Sequence, residues 1–200
     1  MLYNEYITSN LNNMIDKIIN EAKDGVVAAI KGTGDIVNAL RTAVKDVVVG
    51  TVNDAGEVTN VAVGTVASVT KGAVTGVVSV GKTAVESASD IVSATIKGVH
   101  ETGGDVLSAS KDAVSGIIHG TKEVGGDIAE TAVNAVRGAI KAAEDIGTDV
   151  GQAAEHAVLG AIGAADEIGD DTGVVVRDAL LASAALPKDI VSAAIGKKSE

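Results

Sequence analysis

The chain is 200 residues long, has a formal net charge of −11, and contains no cysteine, tryptophan or phenylalanine. Hydrophobic residues make up 46% of it and aromatic residues only 1%, so its apolar surface comes from Val, Ala and Ile. This composition excludes disulfides and thiolate chemistry. It argues against nucleic acid, whose binding rests on Lys and Arg neutralising phosphates, and against the large side chains of an ordinary enzyme core.

Residues 1–13 are polar and rich in Asn, and read as an N-terminal cap. Thr8, Ser9 and Asn10 can each accept orphan N–H bonds at the start of a helix. The segment lacks the basic start and apolar run of a secretory signal, so a cytoplasmic location is the default expectation.

From Met14 the chain divides into elevens without insertion or loss, up to Glu200. The last position is Asp or Glu in 13 of the 17 lines, and the first is apolar in nearly all. Eleven residues make three turns at about 3.67 per turn, close to the natural α-helix and biased toward a right-handed supercoil. On that wheel positions 1, 2, 5, 6 and 9 form an apolar arc. Positions 3, 7, 10 and 11 lie opposite and are polar, and positions 4 and 8 flank the arc with small residues. A β reading fails because eleven is odd, so a strand would turn successive repeats to opposite faces. The Val-rich stretch 58–81, with Lys71 as its single charge, is the place where a strand or a membrane span has to be considered. It carries Asn60 and several Thr and Ser, and it lacks aromatic belts and flanking basic clusters, which opposes a span.

The unbroken phase predicts an all-α protein in which one long helix covers 14–186, about 1.5 Å per residue, packed as a right-handed coiled coil, bundle or filament. The alternative is an antiparallel array of helical hairpins. Its turns would lie near 103–105, 125–127, 147–149 and 169–171, where Gly can end one helix and Asp can cap the next. Pro187 should end the main helix and sit in the first turn of a short last one over 187–200.

Few features point to chemistry. Gly76, Gly81, Lys82 and Thr83 match the phosphate-loop pattern GxxxxGK[ST], but no strand precedes them and no acidic partner is evident, so we read a chance match. Gly81 also shares repeat position 2 with Gly103, Gly125, Gly147 and Gly169. Asp105, Asp127, Asp149 and Asp171 recur at position 4. On one helix they would stand about 33 Å apart, too far to share a cation, and read as caps or a solvated edge. His100, His119 and His156 fall on the polar side. No catalytic residue, cofactor or metal ligand is assigned.

The small residues are more informative. Gly72 and Gly76, Gly116 and Gly120, Gly138 and Ala142, and Gly160 and Ala164 occupy positions 4 and 8, on one edge of the apolar face. Such pairs let helix backbones approach closely, so they mark a packing interface. Acids concentrate at positions 4 and 11, and most Lys and Arg at 3, 7 and 10. Lys31–Asp35, Lys97–Glu101 and Lys141–Asp145 are i, i+4 pairs, and the two-sided charge pattern could set register between neighbouring chains.

The elevens resemble the repeat class shared by synucleins, exchangeable apolipoproteins and late-embryogenesis proteins. The local likeness is closest from Glu57-Val-Thr-Asn-Val61 through Lys82-Thr-Ala-Val-Glu86, and in Gly120-Thr-Lys-Glu-Val124. The resemblance implies amphipathic helices that lie on lipid surfaces or protect dried cells. The repeats here are far poorer in Lys. The sequence therefore predicts a non-enzymatic structural protein that associates with copies of itself through its Val/Ala/Ile faces. A peripheral coat on a droplet, granule or membrane is the alternative.

Overall fold

A computed structural model describes residues 2–32, 36–54 and 61–198. It is all-α: the described residues form helices α1 (Leu2–Gly32), α2 (Ile36–Asp54), α3 (Val61–Ser79), α4 (Ala84–Glu101), α5 (Val106–Glu123), α6 (Ile128–Ile146), α7 (Val150–Ile168), α8 (Asp170–Ala182) and α9 (Lys188–Lys198). No strand occurs among them.

The single helix expected over 14–186 is therefore corrected to a series of short ones. The physical reason lies in the turns. Lys82 N–H donates to Val77 O, Gly104 to Val99, Gly126 to Thr121 and Thr148 to Ala143, each closing the end of a helix 22 residues after the last. Gly81, Gly103, Gly125 and Gly147 make this possible with φ of 85°, 74°, 68° and 72°, a region that Cβ-bearing residues rarely enter. Two residues later a polar side chain starts the next helix. Asp105 accepts from Leu107 N–H at 2.9 Å, Asp127 from Glu130 at 2.9 Å and Asp149 from Gln152 at 2.9 Å. Thr83 and Glu86 cap reciprocally, at 3.1 and 3.2 Å. Because a helix and its turn together fill 22 residues, the chain reverses without disturbing the eleven-residue phase.

The junction at 169–171 differs. Gly169 alone separates α7 from α8, and Asp170 and Asp171 lie in the first turn of α8, where no side chain caps. At the start of the chain, α1 already runs through Thr8, Ser9 and Asn10, so these do not begin it. Helix α9 begins directly after Pro187, whose carbonyl accepts from Val191 N–H.

The helices form two layers. In one, α1, α3, α5, α7 and α9 lie side by side; in the other, α2, α4, α6 and α8 do. Consecutive helices pack across the layers. From α3 to α7 short turns make them antiparallel, so that layer neighbours run parallel. The core lies between the layers and is built from Val, Ile and Ala, with Ile91, Ile96, Ile117, Ile118, Ile162 and Leu180 fully buried. Each large aliphatic side chain contributes about 1.5–3 kcal/mol by leaving water.

The Val-rich stretch is the ordinary helix α3 over 61–79 and the turn after it at 80–81, and residues 58–60 lie outside the described residues. Two of its buried hydroxyls bond within the helix: Ser68 donates to Gly64 O at 2.7 Å and Thr70 to Ala67 O at 3.0 Å. Thr95 and Thr121 do the same in α4 and α5. No described helix is long and apolar enough to cross a membrane.

Candidate functional site

The small-residue positions meet other helices of the same chain. Gly72 faces the Ile19 carbonyl and Ala22 on α1, and Gly76 faces the Lys23 carbonyl and Val26. On α5, Gly116 meets Ala67 and Thr70, and Gly120 meets Lys71 and Val74, all on α3. Gly138 on α6 faces Ser89 on α4, and Gly160 on α7 faces Lys111 on α5. Ala142 and Ala164, the other members of the last two pairs, are buried. Each helix from α3 to α7 thus sets a glycine at position 4 or 8 against the helix two before it, and α3 and α5 do so at both positions. A Cβ at Gly138 would stand 2.5 Å from the Ser89 carbonyl oxygen, well inside contact distance. Gly98 on α4 belongs to the same set, against Val48 and Lys45. Its position-4 partner Ala94 is only one methyl larger than Gly.

The charge pattern has the same intramolecular destination. Position-11 acids pair with cationic side chains on the helix two before: Arg41–Asp90 at 2.6 Å, Lys45–Glu101 at 2.8 Å, Lys71–Glu123 at 2.5 Å and Lys97–Asp145 at 2.5 Å. His119 Nε2 lies 3.2 Å from Glu167 in the equivalent place. The expected intrahelical pairs Lys97–Glu101 and Lys141–Asp145 give way to these rungs, and Lys31–Asp35 involves a residue outside those described. Ion pairs therefore link layer neighbours of one chain through their position-11 acids. The Lys97 hydrogen bond holds the Asp145 carboxyl below its ordinary range.

The phosphate-loop string runs through a helix–turn–helix. Gly76 lies in α3 against α1, Gly81 is the left-handed turn residue, and Thr83 caps α4. The amides a phosphate would need are already engaged: Gly81 and Lys82 N–H donate to the Val78 and Val77 carbonyls, and Thr83 N–H donates to the Glu86 carboxyl and holds it below its usual range. Asp105 and Asp149 serve as caps, and their pKa values are lowered by the Ser108 hydroxyl and the Gln152 N–H respectively. No group of three or more His, Cys, Asp or Glu among the described residues could hold a metal ion.

Openings along the described surface include two that lie between neighbouring helices. One, of about 530 Å³, lies between α5 and α7 and is lined by Lys111, Asp112, Ser115, Leu159 and Glu167 among others. Burial raises the Asp112 pKa to about 6. The other, of about 580 Å³, lies between α1 and α2 at the start of the array, lined by Gly25, Ala29, Ala39, Thr42, Ala43 and Asp46, with Asn38 and Val47. At the opposite end α8 exposes large apolar side chains: Val174 and Val175 are each 54% exposed and Leu181 40%.

Sequence reasoning does not single out the residues at these ends, although a signal is present. Ala39 and Ala43 occupy positions 4 and 8 of their eleven, like the small-residue pairs of the later helices. Position 8 in α8 holds Val175 where the interior helices have Gly or Ala. Without the layer order, nothing distinguishes the first and last helices from those between. No family model matches this chain, and no curated protein matches it.

Proposed function

We propose that the chain is a non-enzymatic structural protein that associates with copies of itself through the ends of its helical array. The observation that carries this reading is the contrast between interior and ends. Each interior helix is covered by neighbours on both sides within its layer, whereas α2 opens onto an apolar groove and α8 presents Val174, Val175 and Leu181 to solvent. Contiguous exposed apolar surface at the end of a repeating array favours association, because the packing mode that built the array can continue. The helices' broad apolar arcs, in contrast, are occupied within one chain. Sedimentation and electron microscopy over a concentration range test the reading: assemblies that grow with concentration are expected, and a monomer throughout overturns it.

A second reading, a peripheral lipid-surface coat, rests on the same exposed α8 residues, which could insert among acyl chains. The deficit of basic residues limits attraction to anionic headgroups. Flotation with neutral and with anionic vesicles separates the two, since self-association proceeds without lipid.

A further inference from the structure

Of the five junctions between α3 and α8, four close on a left-handed Gly, a backbone bond that reaches back five residues and a capping side chain. The fifth, at Gly169, is built otherwise. Gly169 N–H donates to the Ala165 carbonyl and Gly173 N–H to the Gly169 carbonyl, four residues back in each case, as in an uninterrupted helix. No side chain caps α8. Gly169 holds φ 159° and ψ 151°, a region open essentially to Gly alone. The eleven-residue phase also runs through this point. The buried Gly173, Val176 and Leu180 of α8 fall at repeat positions 6, 9 and 2, where α7 buries Ile162, Ala165 and Val158.

Straightening at Gly169 would merge α7 and α8 into one helix over 150–182 with one apolar arc. The amides of Asp170, Asp171 and Thr172 would then meet the carbonyls of Asp166, Glu167 and Ile168. The contacts of α8 with its own α7 would be lost. Arg177 holds both oxygens of Asp166 at 2.8 and 2.7 Å, and a straight helix would separate the pair by about 17 Å. Val176 and Leu180 would be uncovered. Helix α9, which packs on α7, would leave with α8.

We propose that a second copy restores these contacts: two chains straighten at Gly169 and exchange α8 and α9, each arm docking where the other chain's arm has left. This mechanism rests on the self-association reading above. The contacts remade are those of the single chain, Asp166 with Arg177 of the second copy, so no new surface has to match. A one-residue connection between packed helices is the short hinge that favours such exchange. Because the exchange is reciprocal it is isologous, and it closes at a dimer.

Exchange changes the hinge and keeps the clamp. Gly169→Ala, whose Cβ disfavours the closed junction and favours a continuous helix, is expected to tighten dimerisation by at least about tenfold in sedimentation equilibrium. Gly125→Ala, at a turn closed by its own bonds, is expected not to. Arg177→Gln is expected to speed subunit exchange and leave the dimerisation constant unchanged, because the contact it removes is made in both states. The chain has no cysteine, so introduced thiols report on one place. A Cβ at position 173 stands 3.0 Å from the Asp166 γ-carbon, so the thiols of an Asp166→Cys/Gly173→Cys variant fall within bonding reach. Oxidation of the dilute monomer should close the disulfide within one chain, and oxidation after association should link two chains on a non-reducing gel. Either a disulfide that stays within one chain in the associated protein, or a Gly169→Ala variant that associates no more tightly than the wild type, overturns the exchange and leaves self-association standing. A wild type that is monomeric at every concentration overturns both.

Discussion

The stretch α4–α7 and the last two helices follow the same eleven-residue period, yet they pack differently. From α4 to α7 each helix ends at a left-handed Gly or an unusual Gly turn, starts at a capping Asp or Thr, and carries small residues at positions 4 and 8. At α8 these devices lapse: Gly169 forms a one-residue junction, no side chain caps the helix, and Val175 occupies position 8. Helix α8 accordingly packs much less against α6 than α6 does against α4. What holds it is its hairpin with α7, where Arg177 grips both oxygens of Asp166 at 2.8 and 2.7 Å, together with buried Val176 and Leu180. Period alone makes a helix with an apolar face. Turn chemistry and small residues at two positions make that helix a member of the array.

The comparison breaks most sharply at the crossings. Gly138→Val should destabilise the protein by at least about 3 kcal/mol, since the α4 backbone must move to admit it. Gly50→Ala, where a Cβ meets nothing within 4 Å, should stabilise by about 0.5–1 kcal/mol through helix propensity. Urea denaturation followed by circular dichroism reads both.

The turns come next. Asp105→Ala removes a cap and should cost about 1 kcal/mol, whereas Asp171→Ala, in a helix without such a cap, should cost less than half as much in the same assay.

Asp112 supplies a pH dependence confined to the regular region. Burial raises its pKa from 3.8 to about 6, so the folded state binds its proton more tightly than the unfolded state does. Its contribution is therefore favourable below about pH 4 and is lost as pH rises through about 6. Asp112→Asn should remove that loss and raise stability at pH 7 by about 1 kcal/mol, after allowance for the half-exposed carboxylate. Denaturation midpoints of both proteins between pH 4 and 8 check the crossover.

The smallest effect is expected at the exposed end. Val175→Ala should stabilise α8 by about 0.5 kcal/mol, as Ala is the better helix former at this exposed position. Thermal unfolding of the two proteins side by side reads the difference.

Much of this organisation is legible in the amino-acid sequence. The eleven-residue spacing of Val, Ala and Ile determines helix and apolar arc. Gly103-Gly104-Asp105 and Gly125-Gly126-Asp127 spell out a helix stop and a cap. The pairs Gly116/Gly120 and Gly138/Ala142 mark faces that backbones can approach. The long-helix expectation fails at one step, the inference from unbroken phase to unbroken helix. A turn whose length completes the 22-residue unit leaves the phase intact, so periodicity cannot reveal a reversal.

Partnership is decided only by the tertiary structure. Local spacing suggests that Lys97 pairs with Glu101 on its own helix. Folding places Lys97 beside Asp145 and brings Lys45 to Glu101, because layer neighbours lie two helices apart in the chain. The same stacking sets the small-residue faces against helices of the same molecule and leaves α2 and α8 exposed at the ends. Sequence determines which residues share a face, since that depends on local helix geometry. Which face meets which depends on the order in which the helices stack, and that order is a property of the folded chain.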